Sequence, residues 1–278
     1  MFRLILISLF LVACGDMDQK KYYELNGLRI LGIIADLPEI NSAQTVNLTP
    51  YLSYTDGGDT TLDISYKACI DPGITFGAQV TCDNYPASSV QTATTTFSTN
   101  AIGSANFYTG AMNQIPIPIP TSAFTILATR DSQIKFNGLD YIVIFTITDQ
   151  AKPQNTLKVI KRISLTTKTS SLNINPTLGG PILADGSELT TFPTSVTKLS
   201  LDGPSSAQAY DYESASGLSS QDEIMTATWF ASAGEFKYSR SDADAQNEFD
   251  PVGKTSGVFV AVYRDNRGGI VITKKVFP

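Results

Sequence analysis

Apolar and polar residues alternate with a period of two along much of this chain. From Gln44 to Tyr54 most apolar side chains fall on one side of an extended strand, and the same pattern recurs from Thr61 to Ala68. Such alternation is typical of a β-strand with one buried face and one wet face. Further β-branched and aromatic runs occupy residues 29–35, 141–148, 157–166, 257–263 and 270–277. Because Gly, Pro, Asp and Asn turns separate these short runs, the sequence predicts an all-β protein of antiparallel sandwiches.

The strand pattern occurs twice. The apolar strands 141–149 and 257–265 both end in Asp, turn, and continue into a second strand. Each is preceded by a strand with a central aromatic residue, Tyr66 in the first half and Trp229 in the second. The alternating neighbours of Trp229 are apolar, which predicts that it lies in a core. We therefore expect two tandem domains.

The domain limits follow from the positions of these strands. We expect a first domain at 28–167, a polar linker at 168–175 and a second domain at 176–278, stacked as a short rod. Tyr66 precedes Asp149 by 83 positions, whereas Trp229 precedes Asp265 by only 36. The difference predicts a long insertion at about 70–129 in the first domain. The insertion contains the Ser- and Thr-rich stretch 88–99. The insertion could bind a partner, or it could simply fold back onto its own domain.

The amino-terminal segment has the pattern of a targeting signal. An apolar run of 10 residues, Leu4–Ala13, follows Arg3 and is too short for a transmembrane helix, which needs about 20. We expect residues 1–13 to be a cleaved signal peptide. The run ends in Leu11-Val12-Ala13-Cys14, which resembles the lipobox of bacterial lipoproteins. A chance cysteine in a signal peptide or in an uncleaved anchor is the alternative.

The lipobox resemblance implies a lipid anchor. The thiol of Cys14 would receive a diacylglyceryl group, and after cleavage Cys14 would be the acylated first residue, carrying palmitate or a similar chain. Two or three acyl chains hold a protein firmly, since each buried methylene contributes about 0.8 kcal/mol. Residues 14–27 would form a flexible tether. Gly15 after the cysteine favours the outer membrane over the inner one. The sequence does not indicate whether the protein would lie on the surface or on the periplasmic side of that membrane.

The two other cysteines, Cys69 and Cys82, suit an oxidising compartment. We expect a disulfide between them, which would stabilise the fold by roughly 3 kcal/mol. Two unreacted thiols or a redox pair are the alternatives. Two thiols without histidine do not complete a tetrahedral zinc site.

Composition excludes several chemistries. The chain of 278 residues has no histidine, so it lacks His-dependent catalytic triads and His-ligated metals. Its net charge of -6 argues against nucleic acid, and it contains no nucleotide-binding loop motif. The acidic pairs Asp211/Glu213 and Asp222/Glu223 suit a solvated loop better than catalysis. These pairs, or Asp242 and Asp244, could also hold calcium. We predict no catalytic residues, no metal site and no cofactor.

The second half resembles bacterial Ig-like domains close to the polycystic-kidney-disease type. The resemblance rests on Thr228–Phe236, Phe249-Asp250-Pro251 and Val260–Gly269, and it is weaker in the first half. Together with the lipobox, the chain is similar to uncharacterised envelope lipoproteins of predatory and gliding bacteria. The resemblance implies extracytoplasmic sandwich modules that adhere or act as spacers.

These observations predict a lipid-anchored envelope protein that is not an enzyme. The leading hypothesis is a binding or adhesion module with a protein or glycan partner. A structural spacer or accessory subunit of an envelope complex is the alternative, and carbohydrate binding or processing is the weaker one.

Overall fold

The computed structural model describes residues 24–25, 27–54, 60–73, 80–86, 89–99, 108–180, 182–242 and 245–278. Strands dominate this part of the chain, and they form sheets that pack face to face. The predicted all-β sandwich fold is therefore confirmed.

The first half of the chain contains two sheets. Its elements are β1 (Leu28–Ala35), β2 (Glu39–Ile40), β3 (Thr45–Tyr54), β4 (Thr60–Ile70), β5 (Gln91–Thr99), β6 (Tyr108–Ala111), β7 (Ile115–Pro118), α1 (Thr121–Ala128), α2 (Ser132–Asn137), β8 (Leu139–Asp149) and β9 (Thr156–Leu165). One sheet has the order β1-β3-β6, with β7 also paired to β3, and the other has the order β2-β9-β8-β4-β5. The pairs are antiparallel apart from β2 with β9, which is parallel.

The second half repeats this arrangement with shorter strands. They are β10 (Ile182–Ala184), β11 (Ser187–Glu188), β12 (Thr197–Leu201), β13 (Ala209–Ser214), β14 (Gly217–Asp222), β15 (Thr226–Ala231), β16 (Glu235–Phe236), β17 (Arg240–Asp242), β18 (Asn247–Asp250), β19 (Gly257–Arg264) and β20 (Ile270–Phe277). One sheet has the order β11-β10-β12-β18-β16 and the other β17-β15-β19-β20, while β13 and β14 form a separate hairpin.

Each half encloses its own hydrophobic core. In the first, the inward residues of β4, such as Leu62 and Ile64, meet Leu48 and Leu52 of β3 across the sandwich. The second core is aromatic and includes Trp229, which is 0% exposed as predicted. Burying one such large side chain contributes about 1.5–3 kcal/mol, so each sandwich is held chiefly by these contacts.

Asp149 and Asp265 occupy equivalent places in the two halves. Tyr66 on β4 and Trp229 on β15 each pair with the residue four positions before the aspartate of the neighbouring strand. Both carboxylates accept a hydrogen bond from the backbone N–H two residues farther along, at 2.9 and 2.7 Å. The aspartate that ends each apolar strand therefore also shapes the following turn.

Asp149 is fully buried beneath the turn that it shapes. Its carboxylate accepts hydrogen bonds from the hydroxyls of Thr60, at 2.6 Å, and Tyr54. Burial alone would raise the pKa of Asp149, but these bonds outweigh it and hold the pKa below its usual value. The charged form is thus the one that the fold accommodates.

The expected insertion at 70–129 is not a single appendage. This stretch supplies β5, β6 and β7, which complete both sheets of the first half. The second half also has strands at the corresponding place, because β16, β17 and β18 lie between β15 and β19 along the chain. Part of the extra length lies in the loop that Cys69 and Cys82 close, and part in the helices α1 and α2. The extra residues of the first half therefore do not form one block, because a sandwich needs strands at these positions.

The two halves pack side by side instead of forming a rod. Leu31 of β1 meets Phe230 of β15 and Val258, Val260 and Val262 of β19 in one buried cluster. Tyr51, Ile270 and Ile272 pack against the same cluster. We call this contact the apolar seam. The outer face of one sheet from each half is apolar here, so stacking the faces removes both from water.

The described end of the expected tether also joins this seam. Leu25 is 2% exposed and lies in the seam, and its backbone N–H donates to the carbonyl of Ala231 at 2.9 Å. Glu24 forms a parallel bridge with Ala231. Glu24 and Leu25 are therefore fixed to the second half, although both belong to the segment 14–27 that was expected to be flexible.

A buried polar cluster borders the seam, and we call it the ionic joint. Glu39 of β2 is 3% exposed and pairs with Arg267, which also contacts Glu223 at 3.1 Å. Lys168 lies 3.5 Å from Glu39, and the backbone N–H of Asn173 donates to the same carboxylate at 2.7 Å. Each buried charge thus has an opposite charge beside it, which offsets the cost of desolvation.

The segment 168–175 has contacts to both halves. In addition to Lys168 and Asn173, Asn175 donates to the carbonyl of Ala35 at 2.6 Å and accepts from the N–H of Ile270 at 2.9 Å. Because the segment is hydrogen-bonded on both sides, it acts as part of the joint and not as a loose connection.

Lys161 of β9 supplies a pH-dependent test of this packing. Lys161 is 6% exposed, and its ammonium group donates to the carbonyl of Gly268 at 2.6 Å, in the turn between β19 and β20. Burial lowers the pKa of Lys161 from 10.5 to about 8, although nearby Asp265 opposes the shift. The unfolded chain keeps the proton on Lys161 up to the ordinary pKa of 10.5, whereas the folded chain loses it near pH 8. The cost of burying the charged lysine therefore lowers the free energy of unfolding below pH 8, and this cost disappears as the pH rises toward 10.5.

We expect the free energy of unfolding to rise between pH 7 and 9.5 by about 2 kcal/mol more in the unsubstituted protein than in Lys161→Met. The measurement is urea unfolding of the full chain, followed by the fluorescence of Trp229. Lys158→Met, an exposed lysine on the same strand, is the control and should keep the unsubstituted pH dependence. Identical pH profiles for Lys161→Met and the unsubstituted chain would contradict the packing.

Candidate functional site

The predicted disulfide between Cys69 and Cys82 is present, with the Cα atoms 5.9 Å apart. Cys69 is on β4 and points to the outer face of its sheet, where the disulfide packs against Ile142 of β8. Val80 and Val90 cover the same small cluster. The disulfide therefore fixes residues 80–83 onto the outside of the sheet, and these residues form a wall there.

Beside that wall, the outer face of the β2-β9-β8-β4-β5 sheet is rich in hydroxyl groups. Alternation turns the apolar residues of β4 and β8 inward, so the intervening residues point outward. The outward hydroxyl residues on neighbouring strands are Thr92, Thr94, Thr96, Ser65, Thr146, Thr148 and Thr156. We call this surface the hydroxyl face.

The register arranges these residues in rows across the sheet. One row, from β5 to β9, consists of Thr96, Asp63, Thr148 and Thr156. The next row consists of Thr94, Ser65, Thr146 and Lys158. Neighbouring strands lie about 4.8 Å apart, so each row presents a polar group at that interval.

Two adjoining cavities lie over the hydroxyl face. The larger, of about 630 Å³, is bounded by Val80, Thr81 and Asp83 of the loop wall and by Ile144 on the sheet. The other, of about 510 Å³, extends toward Asp63. They share Ser65, Thr94 and Thr146 and so form one groove across the face.

Charges in the groove are few and partly paired. Lys67 and Asp83 form an exposed ion pair at 2.8 Å, and the side-chain hydrogen bonds from Lys67 and Thr81 hold the pKa of Asp83 below its usual value. Asp63 accepts a hydrogen bond from Gln150 at 2.7 Å. A carboxyl with a lowered pKa is ionised at neutral pH, so Asp83 is unsuited to donate a proton as a general acid.

A second cleft, of about 370 Å³, lies at the ionic joint. It is lined by Lys168 and Arg267, and the ring of Tyr210 lies 4.4 Å from the Arg267 guanidinium. Burial lowers the pKa of Lys168, and burial raises the pKa of Glu223, although their ion-pair partners oppose both shifts. Because its cations are paired with protein carboxylates, this cleft serves to join the halves and does not offer a charge to a ligand.

The acidic loop that the sequence predicts to be solvated is buried at one of its carboxylates. Glu223 was expected to be solvated, but it is 7% exposed and paired with Arg267. Glu213 contacts α2, where Ser132 donates to its carboxylate at 2.9 Å. The hairpin β13–β14 therefore reaches across to the first half. Tyr210 of this hairpin packs on Arg267.

Several expected features lie outside the described residues. Cys14 and the rest of the signal segment are among them, as is Asp244. Within the described ranges, no helix is long and apolar enough to span a membrane. The same residues contain no group of three or more Cys, Asp or Glu placed to hold a metal ion.

Sequence reasoning found the Ser- and Thr-rich stretch at 88–99 but not the hydroxyl face. The sequence signal for the hydroxyl face is the row of polar residues in Gln91–Thr99 together with Thr146 and Thr148, two polar residues within the apolar strand 141–149. Recognising them as one surface requires the pairing of β5, β4 and β8, which sequence spacing alone does not give.

Comparison with known proteins adds little to the geometry. No protein-family model matches this chain, and neither does any curated protein. Among solved structures, red sea bream transglutaminase matches over 90% of this chain at 8% sequence identity and a TM-score of 0.30. This chain spans 31% of that structure's length. A likeness at that level carries no argument about activity.

Removal of the disulfide should loosen the wall of the groove. We expect the double variant Cys69→Ala/Cys82→Ala to lose roughly 3 kcal/mol of unfolding free energy, because the unfolded loop is no longer constrained. Amide hydrogen exchange at residues 80–86 should accelerate more than exchange in β19. Asp83→Asn, an exposed change in the same loop, is the control and should cost less than about 0.5 kcal/mol. Unchanged exchange in the double variant would refute this role of the disulfide.

Proposed function

We propose that this protein is a lipid-anchored, non-catalytic binding module of the bacterial cell envelope, and that the hydroxyl face is its binding surface. The observation that carries the proposal is the row-by-row array of outward Thr and Ser side chains beneath an open groove. The lipid anchor at Cys14, with the outer membrane as its site, rests on the lipobox resemblance.

The chemistry of the groove favours a neutral glycan. Hydroxyl side chains both donate and accept hydrogen bonds, so an array of them complements a ligand that itself carries many hydroxyl groups. Val80 and Ile144 supply a small apolar wall for the C–H faces of sugar rings. The pairing of Lys67 with Asp83 leaves little net charge to attract an ionic ligand.

Binding without catalysis fits the carboxylates of the groove. Glycoside hydrolysis needs two carboxyl groups that flank one bond, one of them able to donate a proton. Here Asp63 lines one cavity and Asp83 the other, and the pKa of Asp83 is lowered instead of raised. Bound glycan would therefore be held and not cleaved.

The structural spacer stays the second candidate. The apolar seam and the ionic joint hold the two halves against each other, and such a body could keep a partner at a fixed distance from the membrane. The two candidates differ in whether the groove binds a ligand, which a binding experiment decides.

We expect the double variant Thr94→Val/Thr146→Val to bind neutral polysaccharide at least about 10-fold more weakly than the unsubstituted chain, since each lost hydrogen bond contributes about 1 kcal/mol. The probe is a panel of immobilised neutral polysaccharides, with the full chain inserted in lipid nanodiscs. Thr190→Val/Thr191→Val is the matched double control, because both threonines are exposed in the second half and line neither cavity. Equal binding by the double variant, or no binding of any glycan by the unsubstituted chain, would rule out the proposal and favour the spacer.

The anchor has a separate test. Cys14→Ala should abolish incorporation of labelled palmitate in growing cells and release the chain from the membrane fraction, because no thiol remains to be acylated there. The variant Cys69→Ala/Cys82→Ala should retain the label, since those cysteines form the disulfide. Persistence of label in Cys14→Ala would disprove the lipid anchor.

A further inference from the structure

The sheets differ in how their edges are protected against pairing with another strand. Exposed edges invite pairing, and proteins discourage it with short strands, proline, bulges or charged side chains. Among the described strands, β2, β11, β16 and β17 have only two or three residues. β7 contains Pro116 and Pro118, β1 has a register shift between Ile30 and Gly32, and β20 carries Lys274 and Lys275.

β5 has none of these features. It is nine residues long, and its sequence, Gln91–Thr99, contains neither proline nor a charged side chain. It ends its sheet, and within the described part of the chain it pairs only with β4. Ala93 through Thr96 are exposed on both faces of the strand. The exposed strand β14 differs because it is shorter and carries Asp222.

The sequence of β5 is also compatible with pairing to itself. In an antiparallel arrangement centred on Thr95, Thr94 lies opposite Thr96 of the second copy, and Ala93 lies opposite Phe97. Threonine is favoured in strands, and Thr–Thr pairs across strands are stabilising. The half-buried Phe97 would gain cover from a small neighbour, and no like charges would meet.

We infer that the protein forms a homodimer by antiparallel pairing of β5 with β5 of a second copy. The pairing joins the two β2-β9-β8-β4-β5 sheets into one continuous sheet and brings the two hydroxyl faces together as one longer surface. It is isologous, so it closes after two copies and leaves no β5 edge for further growth. This inference does not rest on the proposed function, because it concerns the edge of the sheet and not its face.

The register gives a sharp test by disulfide cross-linking in intact cells that express the full chain. In the proposed pairing the two copies of residue 95 have Cβ atoms about 5 Å apart, so Thr95→Cys should form a covalent dimer under mild oxidation. The two copies of residue 92 are offset by six residues, or about 20 Å, so Thr92→Cys should not. Equal cross-linking at both positions, or none at residue 95, would overturn the inference.

The mass of the full chain in detergent supplies the second measurement. The unsubstituted chain and Thr95→Val should both sediment as dimers at about 100 µM protein, whereas Thr95→Lys should be a monomer because it places two ammonium groups opposite each other. The far-ultraviolet circular dichroism of Thr95→Lys should be unchanged, since Thr95 is exposed. A monomeric unsubstituted chain, or a dimer that persists in Thr95→Lys, would refute pairing through β5.

Discussion

The architecture depends on one strand, β19, that is buried on both faces. Phe259, Ala261 and Tyr263 point into the core of the second half, while Val258, Val260 and Val262 point into the apolar seam against the first half. A strand with both faces dry must lie between two packed layers. Its sheet therefore stacks on the inner core on one side and on the β1–β3 sheet on the other, and the halves share one body. Beside the seam, the ionic joint satisfies the charges that this stacking removes from water.

This arrangement leaves one large sheet face of the first half free of the seam. The apolar outer surfaces of β1, β15, β19 and β20 are used in joining the halves, whereas the opposite sheet of the first half turns its hydroxyl face away from them. A strand pair such as β4 and β8 has inward residues fixed by the core, so the outward Thr and Ser are held at regular intervals by a rigid backbone. The disulfide adds a wall without covering the face. Binding energy would then not be spent on ordering the surface.

Sequence reasoning predicted the local structure well and the long-range arrangement poorly. The period-two pattern predicted the strands and the core position of Trp229, and the number of cysteines predicted the Cys69–Cys82 disulfide, because these depend on neighbouring residues or on a small set of cysteines. The side-by-side packing was missed, although the unbroken apolar run Val258–Tyr263 is itself typical of a strand buried on both faces. Glu223 and Lys168 were read as solvated or as part of a linker because their partners, Arg267 and Glu39, are distant in sequence. Tertiary pairing decides such positions, and one sequence does not encode it in a local pattern.

The stacking of the two halves through β19 is tested most directly by amide hydrogen exchange of the full chain in increasing urea. The account predicts that β1 and β19 become exchangeable in one cooperative opening, with the same free energy and the same dependence on urea, because each covers the other. If β1 opens at lower urea while β19 stays protected, or if both exchange rapidly in the absence of urea, the two halves do not form the shared body on which the account is built.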